Sequence, residues 1–177
     1  MRPITRRFGL LGAASTLAGC GFHPLYAPTG FAGAGPASTE LAAIYVPVMG
    51  DRSGQVLRQA LQQRFEGAGT GVAKKYELIT GLALSAEGIA QARDNTSTRI
   101  RLIGSAAWTL RMLNLEHTVL TQGTSRIVDG YNVLNQQYFA ADLENEAAIR
   151  RVASSIADQI TVQVAIFLKR RAAAQPA

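Results

Sequence analysis

The sequence predicts an α+β domain in which two helices pack on one face of a four-stranded sheet, in the order β-α-β-β-β-α. Three observations carry that expectation. Two stretches, around residues 75–87 and 99–112, alternate apolar and polar side chains with the period of a half-buried strand. Two others, near 53–66 and 142–171, place apolar residues at helical spacing. Breaks rich in glycine, proline and asparagine separate these stretches.

The elements follow in order. Leu41 to Val48 is a short apolar run with β-branched residues and reads as the first strand, with Pro47 near its end or edge because it has no N–H for a ladder. Asp51 and Ser53 offer N-cap oxygens to a helix reaching Glu66. Its apolar face is Val56, Leu57, Ala60, Leu61 and Phe65, and Gly67, Gly69 and Gly71 stop it. In the second strand Tyr76, Leu78, Leu82, Leu84 and Ala86 share one face, while Lys75, Glu77, Ser85 and Glu87 share the other. The third strand is the clearest: Ile100, Leu102, Gly104, Ala106, Trp108, Leu110 and Met112 alternate with a mainly polar row containing Arg99, Arg101 and Arg111. Its apolar face, with Trp108, reads as core. Asn114 to His117 turn the chain into a more polar fourth strand, about Thr118 to Asn132, interrupted by Gly123. The last helix carries the stripe Ile149, Val152, Ile156, Ile160, Val164 and Phe167. Asp142, Glu144 and Glu146 are expected at its start and Lys169, Arg170 and Arg171 at its end, in favourable alignment with the helix dipole.

Residues 1–19 have the zones of an export signal. Arg2, Arg6 and Arg7 precede an apolar run from Phe8 to Ala18, too short for the roughly 20 residues of a membrane-spanning helix. Leu17-Ala18-Gly19-Cys20 then forms a bacterial lipobox, in which Cys20, the only cysteine, becomes the acylated first residue. Two or more acyl chains give stable anchoring. Thr5-Arg6-Arg7-Phe8 has twin-arginine character, but Gly9 departs from that pattern, so Sec export is favoured and the twin-arginine route stays open. Gly21 replaces the aspartate that signals inner-membrane retention, which points to the outer membrane facing the periplasm. The expected organisation is a signal peptide at 1–19, a lipidated tether at 20–38, the α+β domain at 39–171 and a disordered tail at 172–177.

Composition narrows the function. The formal charge of +6 includes the three leader arginines, so the mature chain carries 15 basic against 12 acidic residues. That balance is far from the basic stripe of a nucleic-acid binder. The only histidines, His23 and His117, have no metal-ligand spacing around them, and no nucleophile elbow or phosphate-cradling glycine loop is present. Asp142, Glu144 and Glu146 read as an ordinary acidic helix start rather than acid–base groups. Acylation consumes the only thiol, and no cofactor is expected beyond the covalent lipid. The chain reads as a non-enzyme.

Cys20-Gly21-Phe22-His23-Pro24-Leu25-Tyr26, together with Tyr131, Tyr138-Phe139-Ala140 and the acidic, alanine-rich helix that follows, resembles the LPS-assembly lipoproteins of the LptE family. The element order agrees with that family, and Pro24-Leu25-Tyr26 departs from its better-known members. The resemblance implies a small outer-membrane lipoprotein subunit of the LPS translocon. Such a subunit plugs the LptD-type β-barrel, assists its assembly and helps insert lipopolysaccharide into the outer leaflet. Its implied partners are that barrel, lipopolysaccharide and the outer-membrane lipid that takes its acyl chains.

Arg93, Arg99, Arg101 and Arg111 are the candidate contacts to lipid A phosphates or acidic lumen groups, since guanidinium forks pair well with phosphate. An exposed sheet face also carries polar residues without any ligand. Phe22, His23, Leu25 and Tyr26 suit docking on the barrel wall or the first strand, and equally suit lipid headgroups. The competing functional reading is an autonomous periplasmic lipid- or cell-wall-binding lipoprotein.

Overall fold

The computed structural model describes residues 36–66, 71–91, 97–133 and 138–174. Its elements are α1 (Pro36–Ala42), β1 (Ile44–Tyr45), α2 (Arg52–Phe65), β2 (Tyr76–Thr80), β3 (Ala83–Gln91), β4 (Ser97–Met112), β5 (Val119–Asn132) and α3 (Tyr138–Ala174). Cys20, the Phe22–Tyr26 segment and Arg93 lie outside the described residues.

The sheet is organised around β4. β5 runs antiparallel along one edge, from Arg99↔Asn132 to Arg111↔Val119. β2 and β3 share the other edge, and the register from Tyr76↔Met112 to Thr80↔Trp108 resumes unchanged at Ala83↔Ser105. They are therefore one strand interrupted at Gly81-Leu82, and the five strands occupy the four expected places. β1 pairs parallel to β2 at the outer edge.

The first strand differs from expectation. Only Ile44 and Tyr45 pair, while Leu41 and Ala42 end α1, where the Ala43 N–H bonds to the Thr39 and Glu40 carbonyls. A short apolar run does not distinguish helix from strand, and Pro47 cannot extend a ladder. Burial rather than pairing satisfies the run, with Leu41, Ala43, Ile44 and Val46 all in the core. α1 starts inside the segment expected as tether, and α3 runs on to Ala174 in the expected tail.

α2 begins as its residues dictate. The Asp51 carboxylate accepts the Gly54 N–H at 3.0 Å and the Ser53 hydroxyl. Those bonds, the Ser53 one foremost, favour the charged form and hold its carboxyl below the ordinary value. Leu57, Leu61 and Phe65 then face inward, fully buried.

α3, 37 residues and so about 55 Å long, lies across the same face of the sheet. It buries Val152, Ile156, Ile160 and Val164, and also Ala148, Ala153, Ala157 and Ala165, which let it approach closely. Gly104 of β4 is part of that approach. A Cβ there would lie 2.2 Å from Val152 Cγ1. A Cβ at Gly123 would meet the Trp108 ring at 2.7 Å, and Trp108 is core as expected, only 4 % exposed.

The acidic trio is not at the helix start. Because α3 begins at Tyr138, its first turn holds no acidic residue, and Asp142, Glu144 and Glu146 sit further in, where the dipole interaction has fallen away. Glu146 instead ties α3 to the start of α2, its Oε1 accepting from Arg52 at 2.7 Å.

Candidate functional site: the open face of the sheet

The helices cover one face of the sheet, and β-strand alternation fixes what the other face presents. Cross-strand partners share a face, so the open side of β4 and β5 reads in successive rows: Arg99 with Asn132, Arg101 with Gly130, Ile103 with Val128, Ser105 with Arg126, Ala107 with Thr124 and Thr109 with Gln122. β2 and β3 add Glu77, Ile79, Ser85 and Glu87 to the same side.

The row of arginines expected from the sequence does lie on this face, but its members are not equivalent. Arg111 donates from Nε to Glu77 Oε2 at 2.7 Å, with a second nitrogen of its guanidinium 2.6 Å from the same oxygen. The Glu77 side chain is only 12 % exposed, so this pair belongs to the structure of the face. His117 joins it, with Nδ1 3.8 Å from Glu77 Oε2, and adopts a positive φ of 47° in the β4–β5 turn. Arg101 stands 3.7 Å from Glu87, both half exposed, a loose surface pair. Arg99 has no ion pair among the described residues.

Arg126 is a cation that sequence reasoning missed. It is exposed on β5, opposite Ser105, and forms no ion pair among the described residues. Its strand lacks clean alternation, and a register shift between Leu110 and Arg111 resets its pairing, so its face follows only from the β4 register. Between Arg101 and Arg126 lies the apolar pair Ile103–Val128, with Val128 56 % exposed. At about 3.4 Å per residue, cation, apolar pair and cation are spread over about 14 Å. That surface can take an amphiphile through phosphate contacts and apolar contacts together.

A cleft of about 370 Å³ opens elsewhere, between the start of α2 and α3, lined by Asp51, Arg52, Ser53, Val56, Glu146, Ile149 and Arg150. Its charges are already engaged: Glu146 by Arg52 and Arg150, and Asp51 by the helix cap. It contains no histidine or cysteine, and Asp142 and Glu144 are exposed on α3 outside it. Among the described residues no group of three or more His, Cys, Asp or Glu is placed to hold a metal ion. No described helix is long and apolar enough to cross a membrane.

Comparison with known proteins gives this geometry a context. A protein from Caulobacter crescentus CB15 described as a lipoprotein superposes with a TM-score of 0.62 at 23 % identity, over 81 % of this chain and 100 % of that one. Lipoprotein B from Nitrosomonas europaea superposes with a TM-score of 0.50 at 16 % identity, over 71 % of this chain and 82 % of that one. At such identities the likeness establishes the fold alone. No curated protein matches the sequence. The family model of LptE, described as lipopolysaccharide-assembly, matches residues 41–164, from the end of α1 to the last third of α3. This chain belongs to the LptE lipopolysaccharide-assembly family.

Proposed function

We propose that this protein is the lipoprotein subunit of the outer-membrane lipopolysaccharide translocon, carried on the membrane by acylated Cys20. In this reading it occupies the lumen of an LptD-type β-barrel, assists that barrel's assembly and presents lipopolysaccharide for insertion in the outer leaflet. The family match over residues 41–164 carries the proposal. The open sheet face supports it, because it is polar enough to lie against a barrel lumen and offers Arg99, Arg101 and Arg126 to anionic groups. The role requires no catalytic group; it requires a rigid domain holding a sheet face in place.

Purification of the tagged lipoprotein from detergent-solubilised outer membrane tests the partnership. A large β-barrel should co-purify through stringent washing. Recovery as a lipid-loaded monomer with no barrel would instead support the autonomous carrier. The mass of the N-terminal peptide reports independently whether Cys20 carries acyl chains.

A further inference from the structure

One end of the fold differs from the rest in both charge and apolar exposure. The β4–β5 turn is held there by the Leu113 N–H, which bonds to the Lys75 carbonyl at 2.8 Å, just before β2. α1 closes the same end: Glu40 accepts from the Tyr76 hydroxyl at 2.6 Å and lies 3.3 Å from Lys75 Nζ, while Lys74 Nζ donates to the Ala42 carbonyl. Burial and the Glu40 carboxylate push the Tyr76 phenol up to about 12, with the charge of Arg171 acting the other way. A Cβ at Gly104 would meet Val152 and Ile156, and one at Gly123, opposite Trp108, would meet Gln163, so α3 advances along β4 toward Met112 and its last turns reach this end too.

Five cations gather here: Lys74, Lys75, Lys169, Arg170 and Arg171. Among the described residues, Glu40, held by Lys75 and Tyr76, exposed Glu116, and Glu66, which lines a small pocket with Lys74, oppose them. Outside this end the mature chain carries ten basic against nine acidic residues, so two of its three excess positive charges lie here. The dipole of α3 accounts for Arg171, the one cation on its last turn, but not for Lys169 and Arg170 further in or for Lys74 and Lys75. The turn beside them exposes Leu113 at 42 %, Leu115 at 103 % and, at the start of β5, Val119 at 56 %. Scattered exposed leucines are ordinary, whereas an apolar tip rimmed by lysine and arginine is the composition of an interfacial membrane contact.

We infer that this end of the domain docks on an anionic phospholipid surface, the β4–β5 turn entering the headgroup layer while the five cations lie against lipid phosphates. The inference rests on the reading of Cys20 as the anchor. The chain enters the fold through α1 at this end, and the stretch from Cys20 to Pro36 spans at most about 55 Å even when fully extended. A tether of that reach lets any face approach the membrane, so it is the cations and the apolar tip that select this end; docking there would hold the open sheet face across the surface rather than pressed into it.

The test uses the full lipidated chain in vesicles containing about 30 mol % phosphatidylglycerol and headgroup-proximal nitroxide lipids. With Cys20 acylated, Leu115→Cys and, at the far end, Phe139→Cys each present one thiol for a fluorophore; both positions are exposed, so folding should persist. Quenching at position 115 should exceed that at 139 by about threefold or more. The difference should shrink in wholly zwitterionic vesicles, in high salt, and with Lys169→Glu plus Arg170→Glu. Equal quenching at both probes, or protection of position 115 that appears only with a β-barrel present, overturns the inference. If the N-terminal peptide shows Cys20 unmodified, the anchoring reading falls by itself. The probes are then placed in a Cys20→Ala chain added from solution, and the same inequality decides docking.

Discussion

The two faces of β4 come from the same sixteen residues and follow different rules. On the covered face, Leu102, Ala106, Trp108 and Leu110 are at most 4 % exposed, and each position is limited by shape. Gly104 is the extreme, since α3 occupies the space a side chain would need. On the open face, position by position, the limit is charge. Arg111 is bound to Glu77, Arg101 leans on Glu87, and Arg99 has no ion partner among the described residues. Substitutions on the first face should therefore register as lost stability, and those on the second mainly as changed binding.

The largest effect expected from this contrast is at Ile156 of α3, fully buried against β4. Ile156→Ala should lower unfolding free energy by about 2–5 kcal/mol, through lost burial and the cavity left behind. Val128→Ala, on the open face, should stay within about 0.5 kcal/mol. Urea titration of both variants measures the difference. Comparable losses would mean that the open face is itself packed, and the contrast would be gone.

Arg111 sharpens the comparison because it is an open-face residue with a structural duty. Arg111→Ala leaves the Glu77 carboxylate largely buried without its two short contacts, at a loss of about 1–3 kcal/mol. Arg101→Ala loses only a loose, half-exposed pair and should lie between about 0 and 1 kcal/mol. The same titrations rank the two, and equal values would remove the distinction between a structural and an available arginine.

Smaller again is the cap of α2. Asp51→Ala should lose about 0.5–2 kcal/mol at neutral pH. The Asp51 carboxyl lies below its ordinary 3.8 in the folded chain, so the unfolded chain takes up the proton first as pH falls. Its extra stabilisation is complete above 3.8 and fades as pH drops through the lower folded value. Asp51→Asn keeps a capping oxygen without the proton uptake. The gap between wild type and this variant should narrow in acid unfolding below that value, and a constant gap would remove the charge from the account.

What was legible in the sequence divides along the same line. β4 alternates so regularly that both its faces followed from residue spacing, and the buried stripe of α3 followed from its branched residues. The alanines beside that stripe were not legible as core, because alanine is common on any helix surface and only the close approach of α2 and the sheet buries it. The first strand lies within Leu41–Val48 as expected, but its bounds were not legible, because the run is apolar and short and its N-terminal part completes a helix whose start lies in glycine- and proline-rich sequence. The open face was legible as a row of arginines but not as a site. The contacts that separate Arg111 from Arg99 join residues 34 positions apart, and Arg126 reached the face through a register that no local pattern encodes.

That leaves the face itself, where the effect on folding should be smallest. Arg99→Glu combined with Arg126→Glu replaces exposed cations without ion partners among the described residues, so the urea midpoint should move by no more than about 0.5 kcal/mol equivalent. If these guanidiniums meet lipid A phosphates, affinity for purified lipopolysaccharide should fall on the order of tenfold, most strongly at low salt. Arg111→Ala is the matched control on the same face. Its guanidinium is already bound to Glu77, so it should weaken folding and leave lipopolysaccharide affinity unchanged. The two variants thus move opposite observables. If the double reversal leaves affinity unchanged, the available arginines are solvated surface, and lipopolysaccharide contact has to be sought on another part of the molecule.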